Sequence, residues 1–453
     1  MKIVIAVHHF PPRYSSGAEL QAYRVAVWMR DHGHDVHVLC VEAIDRGGSN
    51  GLTYEDDIYD GLPVRRLSFN LAAAPDPFRW TYDNPWIGEH LRGYLAELGP
   101  DLLHIVSGYL ISGSALRTAV GMRRANGRRI LTVVTLIDFW FLCPRIILLR
   151  SNGQLCTPPF NPVTCARCLG EEKRRYRLPG RLVPRMMQAF WKGRSGNVAR
   201  IEKRVEFLRE ALSFVDAAIS NSEFLREMFD QAGFPAERIV FVRQGLELPS
   251  LSPEALAKTP SAYLRVGYMG QIAPHKGLHT LFEAVGQLPG AALEVKAYGD
   301  VTRFPNYARL LRRMARRDPR LHLSGVYTRT EVSQVLKGLD VVVVPSVWYE
   351  NSPNVILEAF AHGTPVIASD LGGMAELVQH DVNGLVFEPG NAKALAGQLR
   401  RLLDEPGLLA RLRGGIAPVP TMDEEMSQVM NIYQSLMSAE NSLFGWEVEH
   451  AIP

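Results

Sequence analysis

Twice along this chain, apolar runs of strand length alternate with amphipathic stretches of helix length, and between the two series the alternation stops once. That rhythm predicts parallel sheets, because two parallel strands need a crossover of a dozen or more residues and a helix fills it. In the first series Lys2–Val7 reads as a buried strand. Ala18–Arg30 reads as a helix with Ala22, Val25, Ala26 and Met29 at helical spacing, and Asp35–Val41 as the next strand. Leu102–Val106 and Ile130–Thr135 bracket a helix near Ser114–Asn126, and Ala217–Ser220 and Ile239–Val242 close the series. In the second series Leu264–Met269, Leu293–Ala297, Leu321–Leu323, Val341–Val344 and Val366–Ala368 are strands. The Pro/Ser-bearing stretch Leu248–Ser261 reads as the linker. The expected architecture is α/β: two doubly wound, Rossmann-like domains, residues 1–247 and 262–415, facing across a cleft. Ligands of such sheets sit beyond the carboxyl ends of the strands. A length of 453 residues suits two domains.

The formal net charge is only +3, which argues against a chain built mainly to bind nucleic acid. No apolar run approaches the roughly 20 residues that cross a bilayer, and Lys2–Val7 meets His8-His9 too soon for a signal peptide. A cytoplasmic chain is expected, with room for contact at the membrane face.

The segment from Val344 to Ala368 carries the most chemistry. Ser352 is a good N-cap and Pro353 suits a first helical position, so a helix is expected from Pro353 to about Ala361. Its free amides, those of Asn354 and Val355 among them, would favour a phosphate. Glu350 lies before this helix, near where a group attached to that phosphate would sit. Glu358 lies within it, placed to accept from ribose hydroxyls.

Glu350 and Glu358, with seven residues between them, resemble the E-x7-E motif of family 4 glycosyltransferases. The flanks extend the resemblance: Pro345-Ser346 before, and Gly363-Thr364-Pro365, Gly372-Gly373, Glu376-Leu377-Val378 and Asn383-Gly384 after. Gly270-Gln271 with Lys276-Gly277 is similar to the family's G-R-x4-K-G loop, where a basic side chain meets the donor diphosphate. Ser16-Gly17-Ala18-Glu19 is similar to its N-terminal glycine loop. The resemblance implies the GT-B fold and a retaining transferase that moves a hexose from a nucleotide-diphosphate sugar to a glycan or lipid-linked acceptor. It places Gly17, Gly270, Gln271, Lys276, Asn354, Val355 and Glu358 at the donor, and Glu350 and Asp138 at the reacting centre. It also implies that a final helix, about 422–437, packs back on the N-terminal domain. Attack would come on the face the diphosphate leaves, the leaving phosphate taking the acceptor's proton, with no catalytic metal.

Two positions depart from the family pattern. Gln271 stands where arginine is frequent, and Ile137 stands where many relatives have a histidine before the aspartate. Those departures keep open a second reading, a nucleotide-sugar-binding or assembly protein without turnover. A Rossmann dehydrogenase is set aside, because Gly-x-Gly-x-x-Gly does not follow the first strand. His104 has no assigned role.

Residues 142–196 interrupt the alternation and read as an insertion. Cys143, Cys156, Cys165 and Cys168, one pair spaced C-x-x-C, suit a structural zinc, since four thiolates close a tetrahedral site; an iron–sulfur cluster or free thiols are alternatives. Cys40, at the end of a strand, reads as a buried thiol. Lys173–Arg204 is basic with Met186, Met187, Phe190 and Trp191 interleaved. It reads either as a solvated face or as a surface for anionic lipid or a lipid-linked acceptor.

Overall fold

The computed structural model describes residues 1–14, 16–46, 51–247, 256 and 258–450, with side chains to residue 440. Residues 248–255 and 257 of the expected linker lie outside the described residues. Two compact units result, Met1–Arg243 with Met426–Pro453, and Gln244–Glu425.

The first unit holds eight strands: β1 (Lys2–Val7), β2 (Asp35–Ala43), β3 (Thr53–Tyr59), β4 (Leu62–Ser68), β5 (Leu102–Val106), β6 (Leu131–Leu136), β7 (Ala217–Ser220) and β8 (Ile239–Phe241). Their order is β3-β4-β2-β1-β5-β6-β7-β8. All neighbours run parallel except β3 and β4. Every residue of β5, β6 and β7 is buried, as expected for strands covered on both faces. The β3–β4 hairpin, unforeseen from the sequence, turns on Asp60-Gly61, both with positive φ (49° and 73°). Asp-Gly is a favoured pair for such a two-residue turn.

The final helix, Met422–His450, is longer than expected, and from Met426 it belongs to the first unit. His104 fixes it there. Tyr433 Oη lies 2.7 Å from His104 Nδ1, and Thr135 Oγ1 lies 2.7 Å from Nε2. Burial lowers the His104 pKa to about 4, so the ring is neutral.

Between β6 and β7 lies the insertion, with helices Pro162–Gly170, Arg174–Leu182, Pro184–Lys192 and Ser195–Ser213. Ala166, Met187, Trp191 and Ile201 form a small core of its own. Arg204, fully buried, donates to the carbonyls of Trp140 and Phe141 and ties the last helix to the loop after β6.

The second unit is a six-stranded parallel sheet of β9 (Leu264–Met269), β10 (Leu293–Tyr298), β11 (Leu321–Gly325), β12 (Val341–Val344), β13 (Val366–Ser369) and β14 (Gly384–Phe387). The order is β11-β10-β9-β12-β13-β14. The chain therefore steps outward one way from β9 and the other way from β12.

Candidate active site

The reversal of strand order between β9 and β12 opens a crevice beyond their carboxyl ends, the place where open α/β sheets take ligands. Two loops leave there, one from Met269 and one from Val344. They meet backbone on backbone: a Cβ at Gly277 (φ 72°) would lie 1.9 Å from the Pro345 carbonyl oxygen. Val347 N–H also donates to the His275 carbonyl at 2.9 Å. Glycine at 277 is thus required twice, by its φ and by the approach of the second loop.

This contact brings Lys276 to Glu350, Nζ to Oε1 at 2.6 Å. The same carboxylate oxygen accepts from Ser346 Oγ at 2.7 Å and Trp348 Nε1 at 2.8 Å. Glu350 is 9 % exposed. Burial alone would push its carboxyl up, but Lys276, Ser346 and Trp348 outweigh it and hold the group below the ordinary carboxylate range. Trp348 also lies 5.0 Å from the Lys276 ammonium and 4.4 Å from the His275 ring, centroid to centroid. Burial drops the His275 pKa to about 4, so Lys276 is flanked by a neutral imidazole. Ser346, Trp348 and His275 were not singled out from the sequence. Ser346 was quoted only as a flank, and a tryptophan two residues before a glutamate carries no signal until the loop is folded.

The helix after this loop runs Asn354–Ala361. The expectation that Ser352 caps it is corrected. Pro353 takes the cap position in extended geometry (φ −70°, ψ 111°), and Ile356 N–H donates to its carbonyl. Ser352 Oγ is left buried without a partner, as is Asn354 Oδ1. The Ser352 hydroxyl and the free helix amides can donate to an anion, and Asn354 Oδ1 can accept from a ligand hydroxyl. Gly373 N–H donates to the Glu350 carbonyl at 2.9 Å, and a Cβ there would lie 1.5 Å from the Asn351 carbonyl oxygen. Glu358, partly buried on the helix, adds to the burial that raises the Tyr327 hydroxyl pKa to about 12. Gly270 (φ 136°) turns the chain out of β9, and the Gln271 carbonyl accepts from Tyr268 Oη. Lys276, Glu350 and the start of the helix thus share one end of one sheet.

Asp138 and Gly17 belong to the first unit, where the strand order reverses between β1 and β5. Asp138 accepts from Ser107 Oγ at 2.5 Å and from Trp140 N–H at 2.8 Å. Ser107 takes a left-handed φ of 69° to reach it. At the end of β1, His8 lies 3.6 Å from Glu19, and its ring sits 5.4 Å from that of Tyr109. His8 Nδ1 and Glu19 Oε2 are buried without partners. His8, Ser107 and Tyr109 are further residues of this switch point that periodicity could not reveal. Gly17 opens the helix Gly17–Asp31, and a Cβ there would meet nothing within 4 Å. Space in this unit therefore does not demand glycine at 17.

The zinc expected at Cys143, Cys156, Cys165 and Cys168 is not supported. Among the described residues no group of three or more His, Cys, Asp or Glu is arranged to hold a metal ion. The thiols are free. They lie near enough to influence one another: Cys165 has the other three as neighbours, and Cys156 has Cys143 and Cys168. Burial raises the Cys143, Cys156 and Cys165 thiols, Cys165 to about 12. The amides of Arg145 and Leu148 donate to Cys143, and Arg145 Nη1 lies 3.4 Å from Cys168 Sγ. With burial holding Cys143, Cys156 and Cys165 as thiols, these side chains do not present the thiolate set that a closed zinc site takes. Cys40 is buried, as expected.

Residues 16–245 match the family model described as glycosyl transferase 4-like domain, and residues 263–405 match that of glycosyl transferases group 1. Among curated proteins, the chain is 24% identical over 424 residues to glycogen synthase of Mycobacterium tuberculosis, 91% of this chain and 88% of that one. It is 29% identical over 175 residues to alpha-D-kanosaminyltransferase of Streptomyces kanamyceticus, 37% of this chain but only 45% of the relative. Among solved structures it resembles Anabaena HepE in complex with UDP, with TM-score 0.62, 20% identity, and coverage of 98% and 100%. It also resembles sucrose-phosphate synthase from Thermosynechococcus elongatus, with TM-score 0.66, 19% identity, and coverage of 97% and 99%.

Proposed function

Because the chain belongs to the family 4 glycosyltransferases and has the GT-B fold, we propose that it transfers a hexose, with retention of configuration, from a nucleotide-diphosphate sugar to a glycan or lipid-linked acceptor. The observation that carries this reading is the meeting of Lys276 and Glu350 at the switch point of the second sheet, beside the orphaned Ser352 and Asn354. The UDP in the HepE complex supports a nucleoside-diphosphate donor.

In this reading the diphosphate lies between Lys276 and the amides of Asn354 and Val355, with Glu358 accepting from the ribose and Glu350 beside the sugar. Lys276 is paired with Glu350. The diphosphate therefore has to share it, and the cation lost at Gln271 matters more. Arg303, exposed and close enough to depress His275, is the basic side chain placed to replace it. Departure of the nucleotide builds negative charge on the phosphate, and donors aimed there lower the barrier. That phosphate then accepts the acceptor's proton. Asp138, held by Ser107 and the Trp140 amide, orients the acceptor, and Gly17 opens the first unit's helix toward the donor. A membrane-bound acceptor would bring the basic insertion to an anionic lipid surface.

The direct test screens nucleotide sugars for thermal stabilisation, which a ligand of the native state alone must produce, and then follows transfer or hydrolysis of the stabilising donor. Stabilisation that vanishes in Lys276→Ala, with turnover that vanishes in Glu350→Ala, supports the reading. Binding without any transfer or hydrolysis returns the chain to the non-catalytic reading. No stabilisation by any nucleotide sugar sinks both.

A further inference from the structure

From residue 173 to residue 201 the chain carries nine Lys and Arg and no Asp or Glu, against a net +3 for all 453 residues. Helix Arg174–Leu182 leaves Leu178 and Leu182 exposed at 62 % and 70 %. Helix Pro184–Lys192 leaves Met186 and Phe190 exposed at 65 % and 40 %. Each pair is four residues apart and so lies on one helical face. The second helix is the more telling, because Met187 and Trp191 of its other face are already buried in the insertion's core. A helix apolar on two faces has one partner inside the molecule and needs another outside it.

Beside this face lies a cavity of about 400 Å³ lined by Lys173, Arg175, Tyr176, Trp191 and Arg194, with one carboxylate, Glu172, that is paired with Arg145 at 2.7 Å. It is continuous with the apolar face: the Phe190 ring lies 5.9 Å from that of Tyr176 and 5.6 Å from that of Trp191. The Arg194 guanidinium lies 4.4 Å from the Phe190 ring and 5.5 Å from the Trp191 ring, and Arg175 lies 4.7 Å from Tyr176. Neither arginine makes an ion pair among the described residues. Arg200, also at the cavity, is by contrast paired with Asp76. The Trp191 indole N–H is buried without a partner. Gly170 lets the Trp191 ring press in, since a Cβ there would lie 2.0 Å from it. Two uncompensated guanidinium groups held against aromatic rings form a site for a phosphate, because arginine pairs with it through a fork of donors.

We propose that this cavity binds the headgroup phosphate of an anionic phospholipid, while Leu178, Leu182, Met186 and Phe190 enter the bilayer beside it. The inference rests on the reading that the basic insertion meets an anionic membrane, and it adds a specific phosphate site. Charge selects the occupant. A second copy of this face would bring like charges together, whereas an anionic bilayer complements both the cations and the apolar pairs.

The experiment is co-sedimentation of the full chain with phosphatidylcholine vesicles, with and without phosphatidylglycerol. Binding should require phosphatidylglycerol. Leu182→Glu with Met186→Glu should weaken it more than ten-fold. Arg175→Ala and Arg194→Ala should each weaken it about five-fold, whereas Arg316→Ala, the same charge change in the second unit, should leave it unchanged. Unfolding midpoints of all variants, read alongside, show whether each is folded. Equal loss in Arg316→Ala would mean net charge acts and would overturn the phosphate site while leaving membrane contact standing. Binding lost only in the Leu182/Met186 variant would do the same. Absence of binding to phosphatidylglycerol vesicles overturns both. Thermal stabilisation by inorganic phosphate with no vesicle binding would assign the cavity to a soluble phosphate and sink the lipid.

Discussion

The loops at the end of β9 and β12 and the insertion between β6 and β7 were both expected to gather reactive side chains around a point, and they behave differently. In the loops, Lys276, Ser346 and Trp348, up to 74 positions from Glu350, all reach the same carboxylate oxygen. In the insertion, four cysteines within 26 residues of sequence lie near one another, yet among the described residues no group able to hold a metal is found. Closeness in sequence does not build a site. The loops converge because a parallel sheet fixes where its strands end, and two glycines let the backbones touch. The insertion has no sheet to aim its residues, and its order comes from a small aromatic core.

The strongest test of this contrast is Glu350→Ala, which should lower kcat about 100- to 1000-fold in steady-state assays. Full activity in that variant would remove the distinction. His104 sharpens the contrast within the first unit, since Thr135 and Tyr433 reach it from distant parts of the chain. Its folded pKa of about 4 lies below its ordinary 6.5, so the unfolded chain takes up the proton first. Stability is therefore lost as pH falls from 6.5 towards 4, by up to about 3 kcal/mol. The gap in unfolding free energy between the native chain and His104→Gln should narrow over that window. A gap independent of pH would mean the ring is not held neutral. Glu350, held below its ordinary value, gives up its own contribution only below about pH 4.5.

Gly277→Ala should displace the Lys276 loop and weaken nucleotide binding about ten-fold or more, as measured by calorimetry. An unchanged affinity would show that the close approach to Pro345 is not what positions the lysine. The smallest effect is expected in the insertion. Cys165→Ser and Cys168→Ser should each cost under about 1 kcal/mol in denaturant unfolding, and chelation should leave the stability of the native chain unchanged. One zinc per chain by elemental analysis, with stability lost on chelation, would show that the thiols hold a metal and would erase the contrast.

Much of the second sheet was legible because fully buried parallel strands such as Val341–Val344 have no polar residue to blur them. The donor loops were legible by resemblance, through Glu350, Glu358 and Lys276. Residues that depend on how one loop lies on another were not, among them His275, Trp348 and Ser346, and Ser107 with its left-handed backbone. The Asp60-Gly61 hairpin could have been found, since that pair is itself a turn signal. The start of the 354–361 helix was misplaced by one residue, because proline suits both the cap and the first turn. The zinc expectation is not supported, because four cysteines close in sequence and in space do not by themselves fix the ligand geometry a metal takes.

The final helix has a consequence for the order in which this chain can mature on the ribosome. Gln244–Glu425 is one uninterrupted stretch and can form its sheet as soon as it emerges. The first unit is split, and His104 must wait 329 positions for Tyr433. Until then the His104 imidazole lacks one partner, and the N-terminal unit, although synthesised first, is the last to be completed.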